Sequence, residues 1–216
     1  HDIAVEKRIM KLDNAPADVR ENPVLRQLLE ADSINQPTAA RIWLGAPNSI
    51  KGPTEAVFQR QGGNHLLLVG QRDDAVLAIL SVALVSLAAQ YHRGAARFIV
   101  LDATAPESPH REYLERIVHV LPHAPILAKA GDLPELMTGL ANDLKQRAED
   151  ERAAEAPATF LFIHGLQKYK KLRPEDDFSF ASEDSGAAAK PGAQLSQILT
   201  EGASLGFHVI ATCDTF

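Results

Sequence analysis

Residues 65–77 read His65-Leu66-Leu67-Leu68-Val69-Gly70-Gln71-Arg72-Asp73-Asp74-Ala75-Val76-Leu77, and the fold follows from how that run continues. Its first five residues are apolar nearly throughout and do not alternate, the pattern of a strand covered on both faces. A glycine ends the strand, and the apolar stretch Ala75–Ala89 (AVLAILSVALVSLAA) follows two acids. That stretch falls short of the roughly 18 to 20 apolar residues a membrane span needs, so it reads as a helix buried inside a protein.

Four more runs of the same kind lie downstream, at Arg97–Leu101, Pro125–Ala128, Thr159–Ile163 and Phe207–Thr212. Helical stretches separate them at about 74–91, 109–120, 132–152 and 191–201. The third places Leu133, Leu136, Met137, Leu140 and Leu144 at helical spacing and ends in the charge run Lys145–Arg152. Strands alternating with helices predict an α/β fold, a mostly parallel sheet with helices on both faces.

Working outward, residues 1–40 are polar and broken by Pro16, Pro23 and Pro37, with a short helical pattern around Val24, Leu25, Leu28 and Leu29. They read as a lead-in segment that packs on something else, and residues 41–216 as the domain. Residues 173–192 mix acids, serines, glycine and prolines and read as a flexible surface loop. The alternative is an interaction loop presenting Phe178 and Phe180. The segment His1–Met10 has no apolar core, so no signal peptide is read there. A first residue that is His, and an apolar strand close to the last residue, predict a fragment of a longer polypeptide with its sheet truncated at the C-terminal end.

The chain has 216 residues, 45% hydrophobic and 23% charged, an ordinary globular composition long enough to bury a core without staples. Lys plus Arg is 22 against 28 for Asp plus Glu, so the net charge is −6, not the basic excess of a domain that grips nucleic acid by itself. Aromatics come to 6%, poor material for stacking bases. The single cysteine, Cys213, forbids an internal disulfide and a thiolate zinc site. A cytoplasmic protein without a membrane segment is expected.

In a parallel sheet, ligands bind beyond the carboxyl ends of the strands. A phosphate loop after the first strand would read G-x-x-x-x-G-K-S/T, its glycines freeing backbone N–H groups, its lysine reaching the outer phosphates and its hydroxyl holding magnesium. Here Gly70 matches. Ala75 replaces the second glycine, Val76 the lysine and Leu77 the hydroxyl. Asp73 and Asp74 would repel a phosphate, although they suit a helix N-terminus, and Asp74 is a candidate cap.

The stretch Trp43-Leu44-Gly45 followed by Asn64–Gly70 resembles the opening of the motor domain of FtsK/SpoIIIE-type translocases, where a strand reading H-L-L-I/V-x-G feeds the phosphate loop. Glu201–Thr212 is similar to that family's G-x-x-x-G-I/F-H-L/V-x-x-A/S-T segment, and Thr159–Gly165 falls at its acidic strand. The resemblance covers about residues 42–216 and implies a RecA-like, P-loop NTPase-type fold. It also marks departures. His164 and Gly165 stand where the family has D-E, and Cys213, after Thr212, stands at a position usually polar. Asp102 falls where the family often keeps an aspartate. With lysine, hydroxyl and both acids replaced, phosphoryl transfer loses the groups that stabilise its transition state. The resemblance therefore implies a degenerate, non-hydrolysing member, comparable to the inactive modules of type VII secretion ATPases.

Other patterns compete with it. Gly202-Ala203-Ser204-Leu205-Gly206 fits G-x-S-x-G, but a nucleophile elbow needs a strand before and a helix after, and this order is reversed. His110, His119 and His123 read as surface or helix-end residues rather than metal ligands. His65 and His208 read as hydrogen-bonded structural residues. His164 offers a base at a strand end, without a paired nucleophile or metal. Arg72 reaches either a phosphate or the neighbouring aspartates, the latter preferred. Lys168, Lys170, Lys171 and Arg173 read either as a contact to nucleic acid or an acidic neighbour or as a solvated helix face, the latter preferred.

The leading expectation is a non-hydrolysing module of a DNA or protein translocase, with a structural or regulatory role. Its partners would be other modules or subunits of the same assembly, with DNA reached only through that assembly. No cofactor is expected, and any binding of ATP and magnesium would be weak. A nucleotide sensor built on Gly70, Gln71 and Arg72 is the second reading. An unrelated doubly wound enzyme centred on His164 or Ser204 is the third.

Overall fold

The structure, a computed structural model, describes residues 22–31, 37–45, 54–173 and 190–215. Along it run α1 (Pro23–Leu29), β1 (Ala40–Gly45), β2 (Thr54–Phe58), β3 (Leu66–Val69), α2 (Asp73–Gln90) and β4 (Ala96–Asp102). Then come α3 (Tyr113–Val120), β5 (Ile126–Ala128), α4 (Leu133–Glu149), β6 (Ala158–His164), α5 (Pro191–Glu201) and β7 (Phe207–Cys213). Strands β3 to β7 form one sheet in the order β3-β7-β6-β4-β5, and every neighbouring pair is parallel.

Both faces of that sheet are covered. Phe98, Val100, Phe160, Phe162 and Ile210 point to the side of α2 and α3, while Ile99, Leu101, Leu161, Ile163 and Val209 point to α4 and α5. Strands β6 and β7 are buried along their whole length, which is why their sequences lack a polar face. Helix α2 is long and apolar enough to cross a membrane by length and composition, but 61% of it is buried inside the fold. Its apolar character is that of a core helix.

The sequence reading missed a hairpin. Strands β1 and β2 pair antiparallel beside α2, where the Gln90 amide brackets Arg41. Gln90 Oε1 accepts the Arg41 N–H at 2.9 Å, and its Nε2 donates to the Arg41 carbonyl at 2.6 Å. Helix α1, capped by Asn22 Oδ1 on the N–H groups of Val24 and Leu25, buries Leu25 against Trp43 and Val82. The lead-in helix thus packs on this same body. Helix α3 begins at Tyr113 rather than 109, because residues 108–113 are taken up by tight turns. Residues 174–189, most of the expected loop with Phe178 and Phe180, lie outside the described residues, as do 1–21.

The amino ends of the strands are fastened by arginines. Arg147 of α4 donates to Asp143 through Nε (3.0 Å) and Nη2 (3.2 Å), to Thr159 Oγ1 (3.2 Å), and to the carbonyls of Pro157 (2.8 Å) and Leu205 (3.2 Å). Its guanidinium also lies 4.2 Å from the centre of the Phe207 ring. Arg60 donates to the carbonyls of Ala153 and Ala156 and lies over Gly206, where a Cβ would meet it at 2.7 Å. Gly206 also holds φ 82°, a conformation that disfavours any side chain.

Candidate functional site

The carboxyl ends of β3, β7, β6 and β4 bring together Val69 and Gly70, Cys213, His164 and Asp102. Gly70 donates its N–H to the Cys213 carbonyl at 3.0 Å, so this amide continues the ladder and does not face a ligand. Asp73 opens α2 and Arg72 is its N-cap, without a side-chain capping bond. Asp74 is therefore not the cap. Its carboxylate instead accepts from Arg72 Nη2 at 2.8 Å and Nε at 3.3 Å. The bond from Arg72 holds the Asp74 carboxyl below its ordinary value, and the same bond raises the Arg72 guanidinium. The pair stands in water, with side chains 58% and 42% exposed. Ala75 and Val76 follow in the first turns of α2, and Leu77 is buried in the core, so these three positions themselves carry no cation or hydroxyl.

The ends of β4 and β6 are closed differently. Asp102 and His164 sit opposite each other in the register, and both side chains are buried. His164 donates its Nδ1–H to Asp102 Oδ1 at 2.9 Å, and the same oxygen accepts the Thr104 N–H (2.9 Å) and hydroxyl (2.5 Å). Thr104 Oγ1 also lies 3.2 Å from His164 Nδ1. Burial alone would push the Asp102 carboxyl up, but the bonds from His164 and Thr104 outweigh it and hold it below its ordinary value. The carboxylate fixes the imidazole with its proton on Nδ1. The hydroxyl lies on that same nitrogen, not on Nε2, where a nucleophile would have to be. Gly165 turns the chain sharply at φ 73° and donates its N–H to Thr212 Oγ1 at 2.9 Å, tying β6 to β7. Cys213 is buried.

The other sequence candidates stay apart. Ser204 lies before β7, one seven-residue strand away from the end that holds His164, about 20 Å by strand length. Its hydroxyl donates to the Glu201 carbonyl at 2.7 Å. His119 Nδ1 bonds the Glu115 carbonyl and His123 Nε2 the Tyr91 carbonyl. Among the described residues, no three His, Cys, Asp or Glu side chains gather as a metal site. His65 and His208 are joined to the amino ends of the sheet. His65 Nδ1 accepts the Val209 N–H at 3.0 Å while its Nε2 donates to the Leu199 carbonyl, and His208 Nδ1 donates to the Asn64 carbonyl at 2.9 Å. The cationic run 168–173 is not a helix face. It forms two 3-10 turns that bury Tyr169 and Leu172.

No family model matches the chain, and no curated protein matches it. Solved structures do. The cytoplasmic domain of the type VII secretion ATPase EccC from Thermomonospora curvata aligns with TM-score 0.56 and 12% identity, over 92% of this chain and 20% of that one. ATPases 2 and 3 of the same EccC, in complex with a signal sequence peptide, align with TM-score 0.54 and 14% identity over 83% of this chain and 29% of theirs. ATPases 2 and 3 of EssC from Geobacillus thermodenitrificans align with TM-score 0.52 and 17% identity over 84% and 34%. The chain therefore spans about a third or less of these multi-ATPase chains, and what it shares with them is the fold of a P-loop ATPase module.

Proposed function

We propose that the chain is a non-hydrolysing module of an FtsK/SpoIIIE-like translocase, comparable to a degenerate ATPase of a type VII secretion motor, and that it braces or regulates a neighbouring module in the cytoplasm. The observation that carries this reading is the Asp102–His164 pair. At the strand end where a motor would present an acid to magnesium and water, a buried imidazole stands instead, locked by the nearest carboxylate. The Arg72–Asp74 pair complements it, since the cation nearest the would-be phosphate loop is already held by an acid. Phosphoryl transfer works by positioning and charge stabilisation, and neither loop offers the groups for it.

Thermal unfolding with millimolar Mg-ATP or ADP tests the proposal, alongside a hydrolysis assay. A ligand at a hundred times its dissociation constant stabilises a fold by about 2.7 kcal/mol, a shift of several degrees for a domain of this size. No shift and no released phosphate are expected. A shift without hydrolysis would favour a nucleotide sensor, and phosphate release by the purified chain would overturn the reading.

A further inference from the structure

The turn after β6 carries Lys168, Lys170, Lys171 and Arg173 within six residues, and residues 164–173 contain no acid. Of its large hydrophobic side chains, Tyr169 and Leu172 are buried against the core beneath α4 and α5, and Leu166 is partly buried there. With those anchors inside, all four cations are exposed. The backbone is fixed by short-range bonds, Lys168 N–H to Gly165 O (2.9 Å), Leu172 N–H to Tyr169 O (2.9 Å) and Arg173 N–H to Lys170 O (3.2 Å). Arg173 Nη2 adds a bond to the Gln167 carbonyl at 3.0 Å.

A fifth cation joins from another loop. Lys168 lies along Gly165 and donates through Nζ to the Ala103 carbonyl at 3.2 Å, while Arg111 donates through Nη1 to the next carbonyl, Thr104, at 3.3 Å. Burial and the charge of Asp102 push the Tyr169 hydroxyl up to about 12, and the Arg111 guanidinium is near enough to oppose them. Arg111 therefore borders the turn. The carboxylate at the base of the ridge, Asp102, is buried and already accepts three hydrogen bonds through Oδ1. Glu112, beside Arg111, faces Arg116 at 3.5 Å.

We propose that this ridge, Arg111 with Lys168, Lys170, Lys171 and Arg173, is a docking surface for an acidic segment of a protein partner. The backbone of the turn is fixed before the partner arrives, and Arg111, Lys168 and Arg173 are held by carbonyls, which lowers the ordering cost of binding. A protein segment fits better than nucleic acid. The chain as a whole, at −6, lacks the basic excess of a domain that grips nucleic acid by itself, while its local cations can still pair with carboxylates. Tyr169, the one aromatic of the turn, is buried and offers no face to a base. Exposed ion pairs are individually weak, so the five cations act as a set. The ridge gives the module proposed above a contact to its neighbour and rests on that reading for its setting. Nucleotide hydrolysis by the chain would sink that reading and leave the ridge intact.

The test uses the 216-residue chain and a fluorescein-labelled peptide of alternating Glu and Ser, followed by anisotropy at about 50 and about 200 mM salt. The expected result is binding that weakens with salt and falls about tenfold in Lys168→Glu/Lys170→Glu/Lys171→Glu. Lys170→Glu/Lys171→Glu, which spares the Lys168 bond to Ala103, loses about threefold. Lys145→Glu/Arg152→Glu, which reverses exposed cations elsewhere, retains the affinity of the parent chain, and circular dichroism checks that each variant is folded. Absence of peptide binding, equal loss in the distant variant, or tighter binding of single-stranded DNA of equal charge overturns the proposal.

Discussion

At the amino ends of the strands, Arg147 reaches Asp143, Thr159, Pro157 and Leu205, whereas at the carboxyl end of β3 Arg72 reaches Asp74 and stays in water. The first arginine is buried and joins three segments of chain. The second closes a loop over two residues. Between these extremes lies the Asp102–His164 pair, buried like the first but placed, like the second, where ligands approach a parallel sheet. The contrast separates two duties. The fold is fastened chiefly at one edge, so residues at the other edge can change their chemistry while the sheet remains.

The comparison breaks most readily at Arg147. Arg147→Ala removes the cation from above Phe207 and leaves Asp143 with Arg97 alone, and urea unfolding should show a loss of about 3–5 kcal/mol. A loss under about 1 kcal/mol would mean that the amino edge is not where stability resides.

Acid sharpens it next. Burial pushes His208 down to about 4, so between its ordinary value and 4 the unfolded chain takes up a proton that the fold refuses. Stability is complete above the ordinary histidine range and declines as pH falls toward 4, by about 2 kcal/mol between pH 7 and 5. Asp102 is depressed, so its contribution persists over that window and is lost only as the pH falls through its folded value, below the ordinary carboxylate range. Denaturant titrations at the two pH values should show the slope, and His208→Phe, which keeps a ring against Phe58 and Phe160, should reduce it to what His65, also pushed down by burial, contributes. A parent chain equally stable at both would contradict this assignment.

The smallest effect belongs to Arg72→Ala, whose midpoint of thermal unfolding should not move measurably, since its one partner is an exposed aspartate. A clear destabilisation would show that the β3 loop carries more of the fold than its bonds suggest.

The five strands of the sheet were legible because burial on two faces leaves its mark directly on the residues, as Phe160, Leu161, Phe162 and Ile163 show. The hairpin was not. Arg41 and Glu55 are polar and half exposed, and what seats β1 is the amide of Gln90, 49 positions away. At the candidate site, Arg72 and Asp74 were readable as near neighbours. Asp102 and His164 were each singled out, but their bond spans 62 positions and depends on β4 lying next to β6, which no local pattern encodes. Thr104 carried no signal of its own, being one more hydroxyl in a loop until the carboxylate beside it is placed.

The strand order has a consequence for how the chain is made. Strand β3 is the earliest strand of the parallel sheet to leave a ribosome, yet its partner β7 is the last, and Asn64 waits for His208 across 144 positions. At about 5–20 residues per second, Leu66–Val69 spends roughly 7 to 30 s without a ladder, an apolar segment in search of one. Helix α2, following directly, is the nearest shelter. Nascent chains halted before Phe207 should therefore be sticky in a way that chains already carrying β7 are not.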